Sequence, residues 1–389
     1  MKRIQLLILT MICTLAAQAQ LNGDGYYRVK SAKQGRYARV LDNRGSINYQ
    51  TTDADLGALC TQRSWDIVVS DPGSIIYFEK IKEPNGYDFK SQGTGSYEII
   101  QYAVQVEDMG DNKYWCYASN SLATKYLADD IYPEWADEEA KERGRLVTNV
   151  DINTQSEYLD WDVIPVTTED NYFGLAPTVS AGGSYYQTFY AAFPFTFFSE
   201  GMEAYYVDAI SEAQGKVHIR EITGGVPAST PVIVKCAAQT PASNKLNVGV
   251  STSGSASDNQ LKGVYFCNPD ASAHTNVTAY VPDTMRVLGT ASDGSLAFVK
   301  ATNLKYIPAN TAYIKVSPSA PDVLKVTTED IPNVPGDLNG DNLVDVDDVA
   351  LIAKMILGKT AIDLLADLNG DGSVDVEDFA IAVRIILNK

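Results

Sequence analysis

The sequence has few of the residues that most catalytic and zinc-binding sites require. It contains two histidines, His218 and His274, and five cysteines without a CxxC motif. A zinc site, a Cys/His nucleophile or a Ser/His nucleophile is therefore poorly supported. The nucleophile elbow, the HExxH motif and the phosphate-binding loop are also absent. No enzyme class is indicated by a short motif.

Basic residues are scarce relative to acidic ones. The chain has 31 Lys+Arg against 49 Asp+Glu, which gives a formal net charge of -18 at pH 7. Nucleic acids and anionic membrane surfaces attract proteins through basic patches, so this excess argues against both partners. It is compatible with cation binding and with solubility.

The sequence has no long apolar run that would indicate a membrane span. Lys2 and Arg3 precede an apolar stretch over residues 4–15, and Ala17-Gln18-Ala19 supplies small residues at both ends of an A-x-A site. The stretch is shorter than the roughly 20 apolar residues of a span. We therefore predict a signal peptide over residues 1–19 and a secreted or cell-surface protein without a membrane span.

Four cysteines remain once Cys13 leaves with the signal peptide. Cys60 and Cys116 fall in one predicted domain, and Cys236 and Cys267 fall in the next. Export permits disulfide bonds, and pairing within each domain is one interpretation. Four buried thiols without a disulfide are the other, and the sequence does not decide between them.

Two windows near the C-terminus are almost the same sequence. They are DLNGDNLVDVDD (337–348) and DLNGDGSVDVED (367–378). Each places oxygen-bearing side chains at positions 1, 3, 5, 9 and 12 and a backbone carbonyl at position 7, which is the ligand spacing of an EF-hand calcium loop. The predicted ligands are Asp337, Asn339, Asp341, Leu343, Asp345 and Asp348 in the first loop and Asp367, Asn369, Asp371, Ser373, Asp375 and Asp378 in the second.

Each window is followed by a helical pattern and lacks a clear entering helix. Residues 346–357 and 376–387 carry apolar side chains at helical spacing, whereas Val334-Pro335-Gly336 disfavours a helix before the first window. Position 12 is Asp, where an ordinary EF-hand has Glu. This doubled loop–helix unit, over roughly residues 333–389, resembles a type I dockerin.

The resemblance implies a small helical module with internal two-fold symmetry, two calcium ions and a protein partner of the cohesin type. Positions 10 and 11 of each loop face the cohesin in that family. They are Val346, Asp347, Val376 and Glu377 here, without the Ser-Thr-like pair of many clostridial dockerins. The alternative is that the calcium loops only stabilise a C-terminal cap.

Residues 20–168 contain three related aromatic stretches, which begin at Tyr26, Ile76 and Tyr114. Each is an aromatic strand, a polar turn, a tyrosine and another strand, which predicts a threefold β-barrel. The stretch GYYRVKSAKQGRYARVLDNRGSINY resembles a ricin-type β-trefoil of exported Bacteroidetes proteins. Trp65 and Trp161 are predicted core residues.

The trefoil resemblance implies carbohydrate binding. A sugar site needs an exposed aromatic ring beside a carboxylate or an amide. The candidates are Asp42, Asn43, Asp129, Asp130 and Tyr132, with a core or turn role as the alternative for each.

Residues 169–328 form a second strand-rich stretch. VPASTPVIVK (226–235) recurs as IPANTAYIKV (307–316), each a Pro-Ala turn before a strand. This pattern predicts an antiparallel β-sandwich or barrel. A proline-rich linker, 329–336, then leads to the dockerin-like segment, 337–389. The predicted fold class is therefore multidomain and mainly β, with a small α-helical module at the end.

Three functional hypotheses follow, and one of them is that the calcium loops serve only export or folding. The first is a non-catalytic protein of polysaccharide utilisation, whose β domains bind carbohydrate or a surface ligand while the dockerin docks to a cohesin-type partner. The second is a glycoside hydrolase carried by the dockerin to polysaccharide. A glycosidase needs two opposed carboxylates, and the sequence does not identify such a pair. Binding is the favoured hypothesis.

Overall fold

Most of the regular structure in the chain is β-strand. The computed structural model describes residues 21, 23–40, 59–80, 87–91, 94–96, 98–99, 102–103, 105–119, 124–129, 143–147, 152–153, 156–267, 277–331, 334–340 and 343–388. Its strands precede a helical C-terminus, which confirms the mainly β class with a helical end. Within the described residues no helix is both long and apolar enough to cross a membrane. The predicted signal peptide lies outside them.

The first β region covers residues 25–165. Its strands are β1 (Gly25–Ser31), β2 (Tyr37–Val40), β3 (Leu59–Gln62), β4 (Ile76–Lys80), β5 (Tyr87–Ser91), β6 (Thr94–Ser96), β7 (Glu98–Ile99), β8 (Tyr102–Ala103), β9 (Gln105–Gly110), β10 (Lys113–Ser119), β11 (Thr124–Tyr126), β12 (Ala128–Asp129), β13 (Arg143–Val147) and β14 (Trp161–Pro165). One helical turn, α1 (Trp65–Val68), follows β3.

Six of these strands close into a ring. β1 pairs with β4, β4 with β5, β5 with β9, β9 with β10 and β10 with β14, and β14 returns to β1, all antiparallel. The ring encloses a core that includes Val29, Phe78, Val106 and Trp161, each fully buried. Trp161 thus has the predicted core position, and its indole Nε1 donates to the Leu127 carbonyl. Closure leaves these strands without a free edge.

A buried ion pair joins the strands that flank the ring. Arg36, immediately before β2, donates from Nε to Oδ2 of Asp129 at 2.9 Å and from a terminal nitrogen to Oδ1 at 2.7 Å. The Thr61 hydroxyl, on β3, donates to Oδ1 of the same carboxylate at 2.9 Å. Both charged side chains are fully buried. Two-point pairing of this kind is the strong form of an arginine–carboxylate contact.

The second β region covers residues 173–327. Its strands are β15 (Phe173–Gly174), β16 (Val179–Ala181), β17 (Ser184–Phe189), β18 (Phe195–Phe197), β19 (Glu203–Ser211), β20 (Lys216–Glu221), β21 (Val232–Cys236), β22 (Lys245–Val248), β23 (Leu261–Val264), β24 (Met285–Thr290), β25 (Leu296–Val299), β26 (Thr311–Lys315) and β27 (Val323–Thr327).

The main sheet of this region is covered on both faces. Its strand order is β16-β17-β21-β19-β20-β27-β25-β24-β26-β23. Along β21, Val232 and Val234 enter one hydrophobic cluster and Ile233 enters another, as the alternation of side chains in a strand requires. The predicted antiparallel pairing holds for most strands, but β20 and β27 run parallel.

The two Pro-Ala turns of the repeated stretch meet at the end of β17. Ser229 and Asn310 hold the same place in the repeat and share a left-handed backbone, with φ of 57° and 55°. The backbone N–H of Ser229 donates to the Ala191 carbonyl, and the side-chain amide of Asn310 donates to the Tyr190 carbonyl. Both turns therefore brace the aromatic segment, in which Phe189, Phe193 and Phe195 are buried.

The two β regions share a packed junction. Ile75 of the first region lies in a hydrophobic cluster of the second, and the rings of Tyr26 and Phe193 are 6.0 Å apart. Arg28 of β1 is fully buried and donates to the Asn171 side chain at 3.0 Å and to the Tyr172 carbonyl at 2.9 Å. Satisfying a buried guanidinium in this way ties the first region to the segment that leads into β15.

No disulfide joins the four cysteines within the described residues. Cys60, Cys116 and Cys236 are buried, and Cys267 is half-buried. Burial raises the pKa of Cys116 and of Cys236 to about 12, and it raises the pKa of Cys267 as well. A thiol held protonated and buried reacts slowly.

We therefore expect iodoacetamide to modify Cys267 first in the native, unreduced protein. Mass spectrometry of peptides after timed alkylation measures this order, and urea-unfolded protein is the control in which all four cysteines react. A disulfide between Cys236 and Cys267 would instead leave both residues unmodified in unfolded, unreduced protein.

The C-terminal helical region covers residues 334–388. Its helices are α2 (Val346–Ile356) and α3 (Val376–Leu387), with a 3-10 turn at Leu364–Ala366. The helices that the sequence predicts after each window are confirmed. Their facing sides enclose a small core of Leu338, Ile352, Met355, Ala366 and Ala382.

Candidate metal centre

The second acidic window forms a tight loop around the Asp367 carboxylate. Oδ1 of Asp367 accepts the backbone N–H of Gly370 at 2.7 Å and of Asp371 at 3.2 Å, and Oδ2 accepts that of Gly372 at 2.8 Å. Gly370 and Gly372 have φ of 75° and 86°, which glycine adopts at little cost. The loop takes this shape because the carboxylate at position 1 accepts hydrogen bonds from the backbone amides that follow it.

The aspartate at position 12 fastens the start of each loop to the helix that follows. Asp378 is fully buried, and its carboxylate accepts the backbone N–H groups of Leu368 at 2.8 Å, Asn369 at 3.2 Å and Asp375 at 2.9 Å. Asp348 makes the same three contacts in the first loop. Each helix thereby begins with a capping box, which satisfies amides that have no partner within the helix.

The surroundings of Asp378 keep its carboxylate charged. Burial opposes ionisation, but hydrogen bonds from the backbone amides of Asp375, Leu368 and Asn369 outweigh it and lower the pKa of Asp378. The group is therefore ionised at neutral pH. A carboxylate has about four lone-pair sites, so an oxygen that accepts an amide can also bind a cation.

The donor set of the second loop suits a hard cation. The side chains at positions 1, 3, 5, 9 and 12 all offer oxygen, which is the ligand chemistry of calcium. In the described residues no three histidine, cysteine, aspartate or glutamate side chains converge on a metal position. The loop carboxylates instead point at loop amides, as Asp371 does toward Ser373 N–H at 2.8 Å. Asp341 of the first loop lies outside the described residues.

Several large apolar side chains of the helical region are exposed. Val346 and Val376, the first residues of α2 and α3, are 69% and 68% exposed, and Asp347 and Glu377 beside them are also exposed. The other large exposed apolar side chains of the region include Leu343, Leu357, Ile362, Leu364 and Leu387.

Asp129 is the one predicted sugar-binding residue that lies within the described part of the chain. Asp129 is inside the first β region, where Arg36 and Thr61 occupy its carboxylate, so it lacks the exposure that a sugar contact requires. Asp42, Asn43, Asp130 and Tyr132 lie outside the described residues. The alternative given for Asp129, a buried structural role, is the one that the structure supports.

Gln214 was not among the predicted site residues, yet it lies against the first calcium-type loop. A Cβ built on Gly340 would be 2.4 Å from its side-chain oxygen. Nothing in the sequence around Gln214 indicates this contact, because it depends on how the second β region meets the helical region.

The comparison with protein families identifies the helical region. Residues 335–387 match the family model described as the dockerin type I domain. Neither a curated protein nor a solved structure matches the chain. The match agrees with the doubled loop, the capping aspartates and the helix that leaves each loop. The C-terminal region of this chain is therefore a dockerin type I domain, a domain that binds calcium and docks to a cohesin partner.

Proposed function

We propose that this is an exported, non-catalytic modular protein that its dockerin attaches to a cohesin-type partner in a calcium-dependent way. Its β regions would hold carbohydrate or a surface ligand during polysaccharide utilisation. The observation that carries the proposal is the dockerin match over residues 335–387, on a segment whose two helices each begin with a capping box at an acidic window. The proposed order is a signal peptide (1–19), a β-trefoil-like domain (20–168), an antiparallel β domain (169–328), a linker (329–336) and the dockerin (337–389).

The dockerin is proposed to bind two calcium ions, one in each loop. The oxygen-only donor set and the left-handed glycines at Gly340, Gly370 and Gly372 support this assignment. The proposed ligands are Asp337, Asn339, Asp341, Leu343, Asp345 and Asp348, and Asp367, Asn369, Asp371, Ser373, Asp375 and Asp378. Calcium would neutralise the crowded carboxylates and fix the start of each helix.

The first β region is proposed to be a β-trefoil. The closed ring of six antiparallel strands and the three related stretches of sequence support this fold. Carbohydrate is the proposed ligand class, and Asp42, Asn43, Asp130 and Tyr132 remain its candidate contacts. A glycan array with the purified full chain tests this part. Release of reducing sugar from any polysaccharide of a panel would contradict the non-catalytic assignment.

The cohesin-facing residues are proposed to be Val346, Asp347, Val376 and Glu377. Because both valines are exposed to the same degree, either helix start could supply an apolar anchor. Burying a charge against an apolar contact is costly, so a valine-to-glutamate change should be severe at a true anchor.

We expect the immobilised full chain to capture a cohesin-containing protein from the producing organism with calcium and to release it with EGTA. Val346→Glu combined with Val376→Glu is expected to weaken capture by about 30-fold or more, the effect of losing one interface hot spot. Val281→Glu is the matched control, since Val281 is exposed on the second β region. Capture that survives EGTA, or an equal loss with Val281→Glu, would contradict the proposal.

A further inference from the structure

The two calcium-type loops share their sequence pattern but not their surroundings. Gly340 and Gly370 occupy position 4 of each loop and have φ of 74° and 75°. A Cβ on Gly340 would be 2.4 Å from Oε1 of Gln214, whereas a Cβ on Gly370 would meet no atom within 4 Å. Leu338 is fully buried, but its counterpart Leu368 is only half-buried. The second β region therefore covers the first loop and leaves the second loop open.

Gln214, the residue that covers the first loop, has unsatisfied hydrogen-bonding groups. Gln214 sits in the turn between β19 and β20, and both polar atoms of its carboxamide are buried without a hydrogen-bond partner among the described residues. Ala213, the residue before it, packs against the dockerin core. A buried amide without partners is unfavourable. This carboxamide lies against the backbone of the first loop at Gly340.

The turn that carries Gln214 is held firmly by its own region. Gln214 N–H donates to the Ser211 hydroxyl at 3.3 Å, and the Glu212 carboxylate accepts the Ser317 N–H at 2.7 Å. The Gly215 carbonyl accepts the Lys325 N–H of β27 at 2.7 Å. Further along the chain, Asp330 of the linker lies 3.5 Å from a terminal nitrogen of Arg220 on β20. These contacts hold the turn in a fixed position on the second β region.

We propose that the turn of residues 211–215 is a seat for the first calcium loop. Calcium binding at that loop and the packing of the dockerin on the second β region would then stabilise each other. Calcium fixes the loop backbone against which the Gln214 carboxamide lies, and the seated loop is held closed for calcium. Such coupling is reciprocal by thermodynamic necessity. The second loop, which nothing covers at Gly370, binds independently of the seat. The proposal rests on calcium binding by the dockerin, as the proposed function does, but not on the cohesin.

The matched glycines provide the test. Gly340→Ala and Gly370→Ala impose the same left-handed strain on alanine, so any difference between them reports the contact with Gln214. Calorimetric titration of calcium into the full chain measures binding at the first loop alone when Asp367→Ala removes a proposed ligand of the second loop. It measures binding at the second loop alone when Asp337→Ala removes a proposed ligand of the first.

We expect Gly340→Ala to weaken the first site by about 5-fold or more beyond the loss that Gly370→Ala causes at the second. In a Gln214→Ala background, Gly340→Ala should weaken the first site no more than Gly370→Ala weakens the second. Gln214→Ala alone should weaken the first site by about 5-fold and leave the second within about 2-fold. Calcium should also protect the linker, 329–336, from proteolysis, and Gln214→Ala should reduce that protection.

Equal losses at the two glycines, together with a first site that Gln214→Ala does not change, would overturn the proposal. So would the absence of calcium binding at the first loop of the full chain. A chain that captures no cohesin but shows these differences would refute only the proposed partner. A chain that captures a cohesin and shows equal losses would refute only the seat.

Discussion

Replacing Asp129 with alanine is expected to destabilise the first β region by about 3–5 kcal/mol. The substitution leaves the Arg36 guanidinium fully buried without its carboxylate, and it removes the acceptor of the Thr61 hydroxyl. An unpaired buried charge is far more costly than the loss of the pair itself. Since a domain is stable by only about 5–15 kcal/mol, the variant should lose much of its margin.

Urea unfolding followed by tryptophan fluorescence measures the change, because Trp161 lies in the core of the same region. Asp162→Ala is the matched control. It removes an ion pair in which the Lys113 ammonium lies 2.8 Å from the Asp162 carboxylate and both side chains are more than one-third exposed. Such exposed pairs contribute at most about 1 kcal/mol to stability. Asp129→Leu with Arg36→Met, which removes both charges, should recover a large part of the loss. A loss for Asp129→Ala no larger than that of the control would contradict the assigned role.

Asp129 also shows where inference from sequence is limited. An Asp-Asp pair after a strand is a reasonable sugar-contact candidate, and nothing near it in the chain indicates burial. Its partner Arg36 is 93 residues away. The contact exists because the strands flanking the ring bring these two residues together, and this depends on the closure of the whole first β region. Long-range pairing of this kind leaves no local pattern.

The calcium-type loops could be predicted because their chemistry is local. The predicted ligand positions fall within twelve consecutive residues, and a helix of eleven or twelve residues begins at position 10 of each window. The aspartate at position 12 departs from the EF-hand pattern, and its buried contacts to three backbone amides give it a structural role. The seat at Gln214 could not be predicted, since it joins residues more than one hundred positions apart in sequence.

Removing calcium is expected to unfold α2 and α3 while the two β regions stay folded. The core of the helical region consists of few buried side chains, of which Leu338, Ile352 and Met355 are the largest. A module of this size seldom reaches useful stability from its core alone. Calcium at one hundred times its dissociation constant adds about 2.7 kcal/mol per site. Two bound calcium ions thus contribute about as much stability as a small core supplies. Without the ions, the crowded carboxylates repel one another.

Thermal unfolding followed by circular dichroism at a helix-sensitive wavelength, with calcium and with EGTA, measures this. We expect a low-temperature helical transition that calcium raises and a later β transition that it moves much less. Asp337→Ala and Asp367→Ala should each act like partial chelation, whereas Glu377→Gln, at a position without a predicted ligand, should not. If the seat at Gln214 couples the first loop to the second β region, Asp337→Ala should also lower the β transition slightly and Asp367→Ala should not. Loss of the β signal together with the helical signal on adding EGTA would contradict independent folding of these regions.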